Sequence, residues 1–187
     1  YPQMDERSEI RMEEKVPVVI TSAGSRKKYT ALFKSHGIKV LHVVAGARFA
    51  IKCEEAGVDG IIAEGFEAGG HNGADETTTL VLIPLVRAVT SLPLAAAGGI
   101  SNGQSMLAAM VLGADGVQIG TRFAASVESS AHPKFKEKII ASREGDTMLS
   151  LKTIGAVRLM KNRFFEQVSE AESRGASAEE LKALLGK

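Results

Sequence analysis

The chain holds one cysteine, Cys53, in 187 residues, which excludes an intramolecular disulfide. It lacks a charge imbalance as well. Its 23 basic and 22 acidic residues leave a formal net charge of +1, so nothing electrostatic draws it to nucleic acid or to an anionic membrane. No apolar run approaches the roughly 20 residues that a membrane-spanning helix needs. No HxxxH or CxxC pattern occurs, and His36, His42, His71 and His132 do not fall at ligand spacing, so no metal is expected. Cys53 itself lies in a helical apolar pattern with Phe49, Ile51 and Ala56 and reads as a packing thiol. A reducing, cytoplasmic setting fits that usage.

What is present describes a globular protein. Apolar residues make up 44% and charged residues 24%, and the length allows one domain, residues 1–187, with a sizeable core. The chain starts at Tyr1 rather than Met, Pro2 to Asp5 reads as a strand-to-helix loop, and Leu185-Gly186-Lys187 closes no clear element. The expectation is a piece of a longer protein.

Short β-rich runs alternate with longer helical patterns from end to end. Strands are expected at Val16–Thr21, Lys39–Val44, Gly60–Glu64, Pro93–Ala97 and Gly116–Ile119. Helices are expected at Glu6–Lys15, Ser25–His36, Ala47–Ala56, Thr78–Thr90, from Ser101 to Leu112, Pro133–Arg143, Val157–Ala171 and Ala178–Leu185. Thr77, Ser101 and Ser177 are the candidate N-caps, and Ser22-Ala23-Gly24 closes the first strand. Val40–Val44 and Pro93–Ala97 are apolar at consecutive positions, which fits strands buried on both faces of a parallel sheet. The phrases Ala56-Gly57-Val58-Asp59-Gly60 and Leu112-Gly113-Ala114-Asp115-Gly116 are near copies and point to repeated β/α units. Five strands do not close a parallel barrel of about eight. Either the sheet is open and doubly wound, or three N-terminal strands are absent, and the unusual start favours the second.

Three strand ends break into glycine. Glu64 leads into Gly65-Phe66-Glu67-Ala68-Gly69-Gly70-His71-Asn72-Gly73; the next breaks are Ala97-Gly98-Gly99 and Gly120-Thr121-Arg122. Glycines at such tips let backbone N–H groups approach a flat or anionic ligand. The last two breaks lie on consecutive units, where barrels of this kind bind phosphate, although tight βα turns alone also use glycine. His71 at a strand's C-terminal end is placed to move a proton at neutral pH; the alternative is a loop histidine without a task. Glu64 ends an apolar strand and should point at the barrel mouth, as hydrogen-bonding partner or as structural carboxylate. Glu67 flanks the same loop, and Ser22-Ala23-Gly24 could line the same mouth. Thr77-Thr78-Thr79 reads as capping, Lys134-Phe135-Lys136-Glu137-Lys138 as a solvated helix face, and Ser177-Ala178-Glu179-Glu180 as a capping box.

These residues resemble the flavin-dependent nitronate monooxygenase family, formerly the 2-nitropropane dioxygenases, and its relative, the FMN-dependent enoyl-acyl-carrier-protein reductase II. The likeness is carried by Glu64–Gly73, Ala96–Ile100, Gln118–Phe123 and Glu128–Pro133, and it runs from Tyr1 to at least Phe164. It implies an FMN-binding TIM (β/α)8 barrel, of which this chain carries the last five β/α units and C-terminal helices. By position, Gly98, Gly99, Gly120 and Thr121 would hold the FMN phosphate, with Ala97 beside them. Glu64, Ala68, Gly69 and Gly70 would lie along the flavin. His71 would match the active-site histidine.

The resemblance implies a flavoprotein oxidising alkyl nitronates or nitroalkanes with oxygen. The alternative is an enoyl reductase that uses NAD(P)H and FMN on a thioester carried by acyl carrier protein; the loop Glu67–His71 and the segment Glu128–Arg143 look closer to that branch. A third reading, of another class, is an inactive or partner-dependent barrel remnant. Beyond the small-molecule substrate, a homodimer is the assembly left open.

Overall fold

The structure, a computed structural model, describes residues 3–23 and 26–186. The first half alternates helix and strand: α1 (Gln3–Glu13), β1 (Val18–Ser22), α2 (Arg26–Ser35), β2 (Lys39–Val44), α3 (Ala47–Glu55) and β3 (Gly60–Glu64). A two-residue strand, β4 (Gly70–His71), precedes α4 (Thr79–Arg87), β5 (Leu94–Ala97), α5 (Gly103–Val111), β6 (Gly116–Gln118) and α6 (Thr121–Ala124). The chain continues through α7 (Pro133–Ala141), β7 (Thr147–Ser150), β8 (Val157–Met160), α8 (Arg163–Ser173) and α9 (Ala178–Leu184). Among the described residues no helix is long and apolar enough to cross a membrane.

The main sheet is parallel, in the order β1-β2-β3-β5-β6. That order never reverses. A doubly wound sheet needs a point where it does, so this is the one-directional winding of a TIM barrel, and the doubly wound alternative falls. All five strands expected from sequence are present, two with the expected bounds and three with ends shifted by a residue or two.

The near-copied phrases build near-identical corners. In each, a Schellman turn closes the helix: Gly57 and Val58 donate to Glu54 and Cys53, and Gly113 and Ala114 donate to Met110 and Ala109. Each aspartate then reaches sideways to the preceding strand. Asp59 accepts the Val40 N–H at 3.0 Å and Asp115 the Leu94 N–H at 2.8 Å. Burial opposes the charge on Asp59, but the Val40 amide, Lys39 and Lys34 outweigh it and hold its carboxyl below the usual value.

The core lies between this sheet and its helices. Phe33, Val40, Ile61, Leu82, Ile83, Val86 and Leu94 are buried there, as is Cys53, in keeping with a packing thiol. Each large aliphatic removed from water contributes about 1.5–3 kcal/mol. Burial on both faces holds for β3 but not throughout. In β2, Val40, His42 and Val44 are buried while Leu41 and Val43 are only half-buried. In β1, Val18 and Ile20 are 47% and 55% exposed. The helix-facing side of the sheet is sealed, and the opposite side opens progressively toward β1.

Four further expectations are corrected. The first helix begins at Gln3, so Gln3 to Asp5 is not loop; Tyr1 and Pro2, and Gly24 and Ser25 farther along, lie outside the described residues. Val157–Ala171 is not one helix: Val157–Met160 is strand, and α8 starts after Asn162, whose side chain accepts the Phe165 N–H. Pairing of β8 with β7 and β4 overrides the local helical pattern. Asn102, not Ser101, caps α5, through a box with Ser105. The N-cap of α4 is Thr78, not Thr77, and its side chain makes no capping bond. The Ser177–Glu180 capping box forms as read.

Candidate functional site

The glycine-broken strand ends meet at one place. β3 ends at Glu64, and the Gly65 amide continues the ladder by donating to Ala97 O at 2.9 Å. Thr79, at the start of α4, sits in the corner so formed. Its hydroxyl lies 2.9 Å from Gly98 O and 2.9 Å from Glu67 Oε2. Its amide donates to Glu67, 2.9 Å from Oε2 and 3.1 Å from Oε1. Glu67 therefore does the capping that Thr78 does not. The corner admits no Cβ at two positions: one on Gly65 would lie 2.2 Å from Thr79 Oγ1, and one on Gly98 2.7 Å from Gly65 O. At Gly65 and Gly98 glycine is demanded by packing, whatever else it does.

A cavity of about 770 Å³ opens above these tips. Glu64, Ala68, Gly69 and Gly70 line it from the loop after β3, Ala97, Gly98 and Gly99 from the end of β5, and Gly120 and Thr121 from the end of β6. The tips approach closely, since a Cβ on Gly69 would come 3.9 Å from Thr121 Oγ1. Ser22 and Ala23, at the end of β1, are not among the lining residues.

His71 is exposed and is not among the lining residues either, although its neighbour Gly70 is. In the antiparallel β4–β8 pair, Gly70 stands opposite Arg158 and His71 opposite Val157. Opposed residues share a face and successive residues alternate. Arg158 lines the cavity; Val157 packs on the small second core around Leu151 and Val168. His71 thus adjoins the cavity through Gly70 without lining it.

The two helix N-termini behind the glycines differ. Asn102 and Ser105 already satisfy amides at the start of α5. α6 begins after Gly120 with no side-chain cap. The N–H groups of a first helical turn have no intrahelical acceptor, so α6 leaves amides for an acceptor beside Gly120 and Thr121. Charge at the cavity is mixed. Arg122, Lys138 and Arg158 line it along with Glu64 and Glu67. Burial alone pushes the Glu64 carboxyl above its usual value.

Other parts of the wall lie outside the sequence-derived set. Gln118 ends β6, and Arg158, Leu159, Met160, Asn162 and Phe164 come from the C-terminal segment. Asn162 is a cap type ahead of Glu166, a signal that could have split the segment into strand and helix. Phe135 and Lys138 of α7 also line the cavity, so the stretch read as a solvated face is partly wall. The segment is tied to the loop after β3: Arg158 donates to Phe66 O, and Asn72 donates its amide to Ala156 O at 2.8 Å. The Asn72 side chain staples the same loop, Nδ2 donating to Ala68 O and Gly70 O at 2.9 Å each.

Comparison with known proteins agrees with this architecture. The family profile described as nitronate monooxygenase matches residues 2–187. A probable nitronate monooxygenase of Staphylococcus aureus (strain Newman) is 36% identical over 171 residues, 86% of this chain and 48% of that protein. Among solved structures, FabK from Thermotoga maritima is 43% identical with a TM-score of 0.88, over 94% of this chain and 56% of its own. A nitroalkane oxidase from Streptomyces ansochromogenes is 28% identical with a TM-score of 0.78, over 93% of this chain and 52% of its own. The chain thus spans about half the length of the relatives it matches.

Proposed function

Because this chain belongs to the nitronate monooxygenase family, we propose that its cavity binds FMN and serves the oxidation of alkyl nitronates with oxygen. The observation that carries the reading is the convergence of three glycine-broken strand ends on one cavity.

The residues fit the group. A Cβ on Gly70 or Gly120 would meet nothing within 4 Å, so bare backbone faces open space, as close approach to a large ligand requires. The amides of Gly98, Gly99, Gly120 and Thr121 would hold the phosphate, helped by Arg122 beside them. Ala97 would flank that subsite. Ala68, Gly69 and Gly70 present a flat wall for the ring, and Glu64, raised toward its protonated form by burial, would bond a ring edge or a ribityl hydroxyl. Bound there, FMN would supply the electron-accepting ring. His71, at the cavity's edge, would take the α-carbon proton of a neutral nitroalkane or orient the anion. The electrons end on oxygen. The lone buried thiol suits a cytoplasmic enzyme.

One observation favours a second reading, reduction of an enoyl thioester with NAD(P)H. Phe135, Lys138 and Ile139 of α7 line the cavity, and they belong to the stretch Glu128–Arg143 that resembles the reductase branch.

The test is direct. Purified protein should be yellow and release FMN on denaturation, and it should consume oxygen with propionate 3-nitronate. NAD(P)H consumption driven by crotonyl thioester, with no oxygen uptake on nitronate, would select the second reading. Colourless protein that takes up no FMN would end both.

A further inference from the structure

Arg158 is a cation held in place without an acid. Its Nε and Nη2 both donate to the Phe66 carbonyl, at 3.1 and 3.0 Å, and its guanidinium carbon lies 5.1 Å from the centre of the Phe66 ring. Nη1 reaches Thr147 Oγ1 at 3.4 Å. Among the described residues no carboxylate pairs with it. Of the two acids at the cavity, Glu67 is committed to Thr79, and Glu64 makes no ion pair among the described residues.

A guanidinium has five N–H groups. Three are used by Phe66 and Thr147, which leaves one on each Nη. Both Nη groups therefore keep an N–H to donate, and a planar oxoanion offers two oxygens to accept. Arg158 is half-buried, lines the cavity, and stands opposite Gly70 in the β4–β8 ladder. Arg122 and Lys138 also line the cavity, but as exposed side chains. Arg158 is fixed beside the wall assigned above to the flat ring.

We propose that Arg158 determines substrate specificity by binding the anionic end of the substrate through its two remaining N–H groups. The site then selects planar oxoanions, nitronates among them, over neutral nitroalkanes. The substrate's identity rests on the function proposed above; the anion subsite rests on Arg158 alone.

Nitrate is a planar oxoanion of suitable size, and calorimetric titration of nitrate into the whole chain, with and without added FMN, tests the subsite. Wild type should bind it saturably. R158M should weaken binding by about ten- to a hundredfold, the worth of a two-point charge-assisted contact. R158K keeps the charge but loses the fork and should weaken it by roughly tenfold. With propionate 3-nitronate, R158M should raise KM and leave kcat nearly unchanged, a split that general loosening of the loop would not produce. Thermal melting identifies which variants fold, and if R158M does not fold, R158K decides. Nitrate binding at wild-type strength in either folded variant, or none in wild type at millimolar concentrations, overturns the proposal. If the chain takes up no FMN, the function proposed above fails while the titration without FMN still decides this one.

Discussion

Glu67 and Thr79 are joined twice across a gap of 12 residues: the Thr79 amide and hydroxyl both lie 2.9 Å from Glu67 Oε2. The same hydroxyl lies 2.9 Å from the Gly98 carbonyl, so one side chain ties together the loop after β3, the start of α4 and the end of β5. T79V keeps the shape and removes the hydroxyl. It should cost about 1–3 kcal/mol, roughly 2–12 °C in melting temperature for a domain of this size, read by thermal denaturation followed by circular dichroism.

Two glycines of the proposed phosphate subsite should respond oppositely to alanine. Gly98 has φ +98° and a Cβ there would strike Gly65 O at 2.7 Å, so G98A should unfold the corner and lower the melting temperature by several degrees or more. Gly120 has φ −99° and open space around its missing Cβ. G120A should melt like wild type and lose about tenfold or more in FMN affinity, measured by quenching of flavin fluorescence. Unchanged FMN affinity would remove Gly120 from the subsite.

Glu64 carries a pH signature. Burial raises its folded-state pKa above the unfolded value. The folded state then binds more protons, and the contribution of Glu64 to stability is fully present below the unfolded pKa and lost as pH rises through the folded one. E64Q should therefore be more stable than wild type at neutral pH, with the difference vanishing below about pH 4.5, the unperturbed value for this group. Urea unfolding of both proteins at acid and neutral pH measures it. FMN bound over the carboxyl would enlarge the difference by further burial.

His71 can be assigned by substrate charge. H71A should lose about a hundredfold or more in kcat/KM on a neutral nitroalkane, which needs a base, within the usual worth of such a group. It should lose much less on a preformed nitronate. Oxygen-uptake rates with both substrates distinguish a proton-moving histidine from one that only orients its loop, since the latter would depress both equally.

The parallel sheet was legible because its strands are short, apolar and bounded by glycine, and because two copied corners show that the β/α unit repeats. Gly98 and Gly120 were legible as strand-end breaks, but not the difference between them. That difference lies in the Gly65 carbonyl and Thr79, which crowd one and not the other, and no local pattern encodes neighbours so distant in sequence. The C-terminal wall was illegible for a related reason. Val157–Met160 looks helical by spacing and becomes strand because Thr147–Ser150 on one side and Gly70–His71 on the other pair with it. Arg158 escaped notice for the same cause, its partner Phe66 being 92 residues away.

The strand Gly70–His71 is too short to persist unaided, and its ladder partner lies in the last third of the chain. During synthesis the floor of the cavity can assemble as soon as β6 has emerged, yet the side wall must wait for Arg158 and its neighbours. A chain cut after residue 146 would keep every rung of the parallel sheet and still present a trough open on one side.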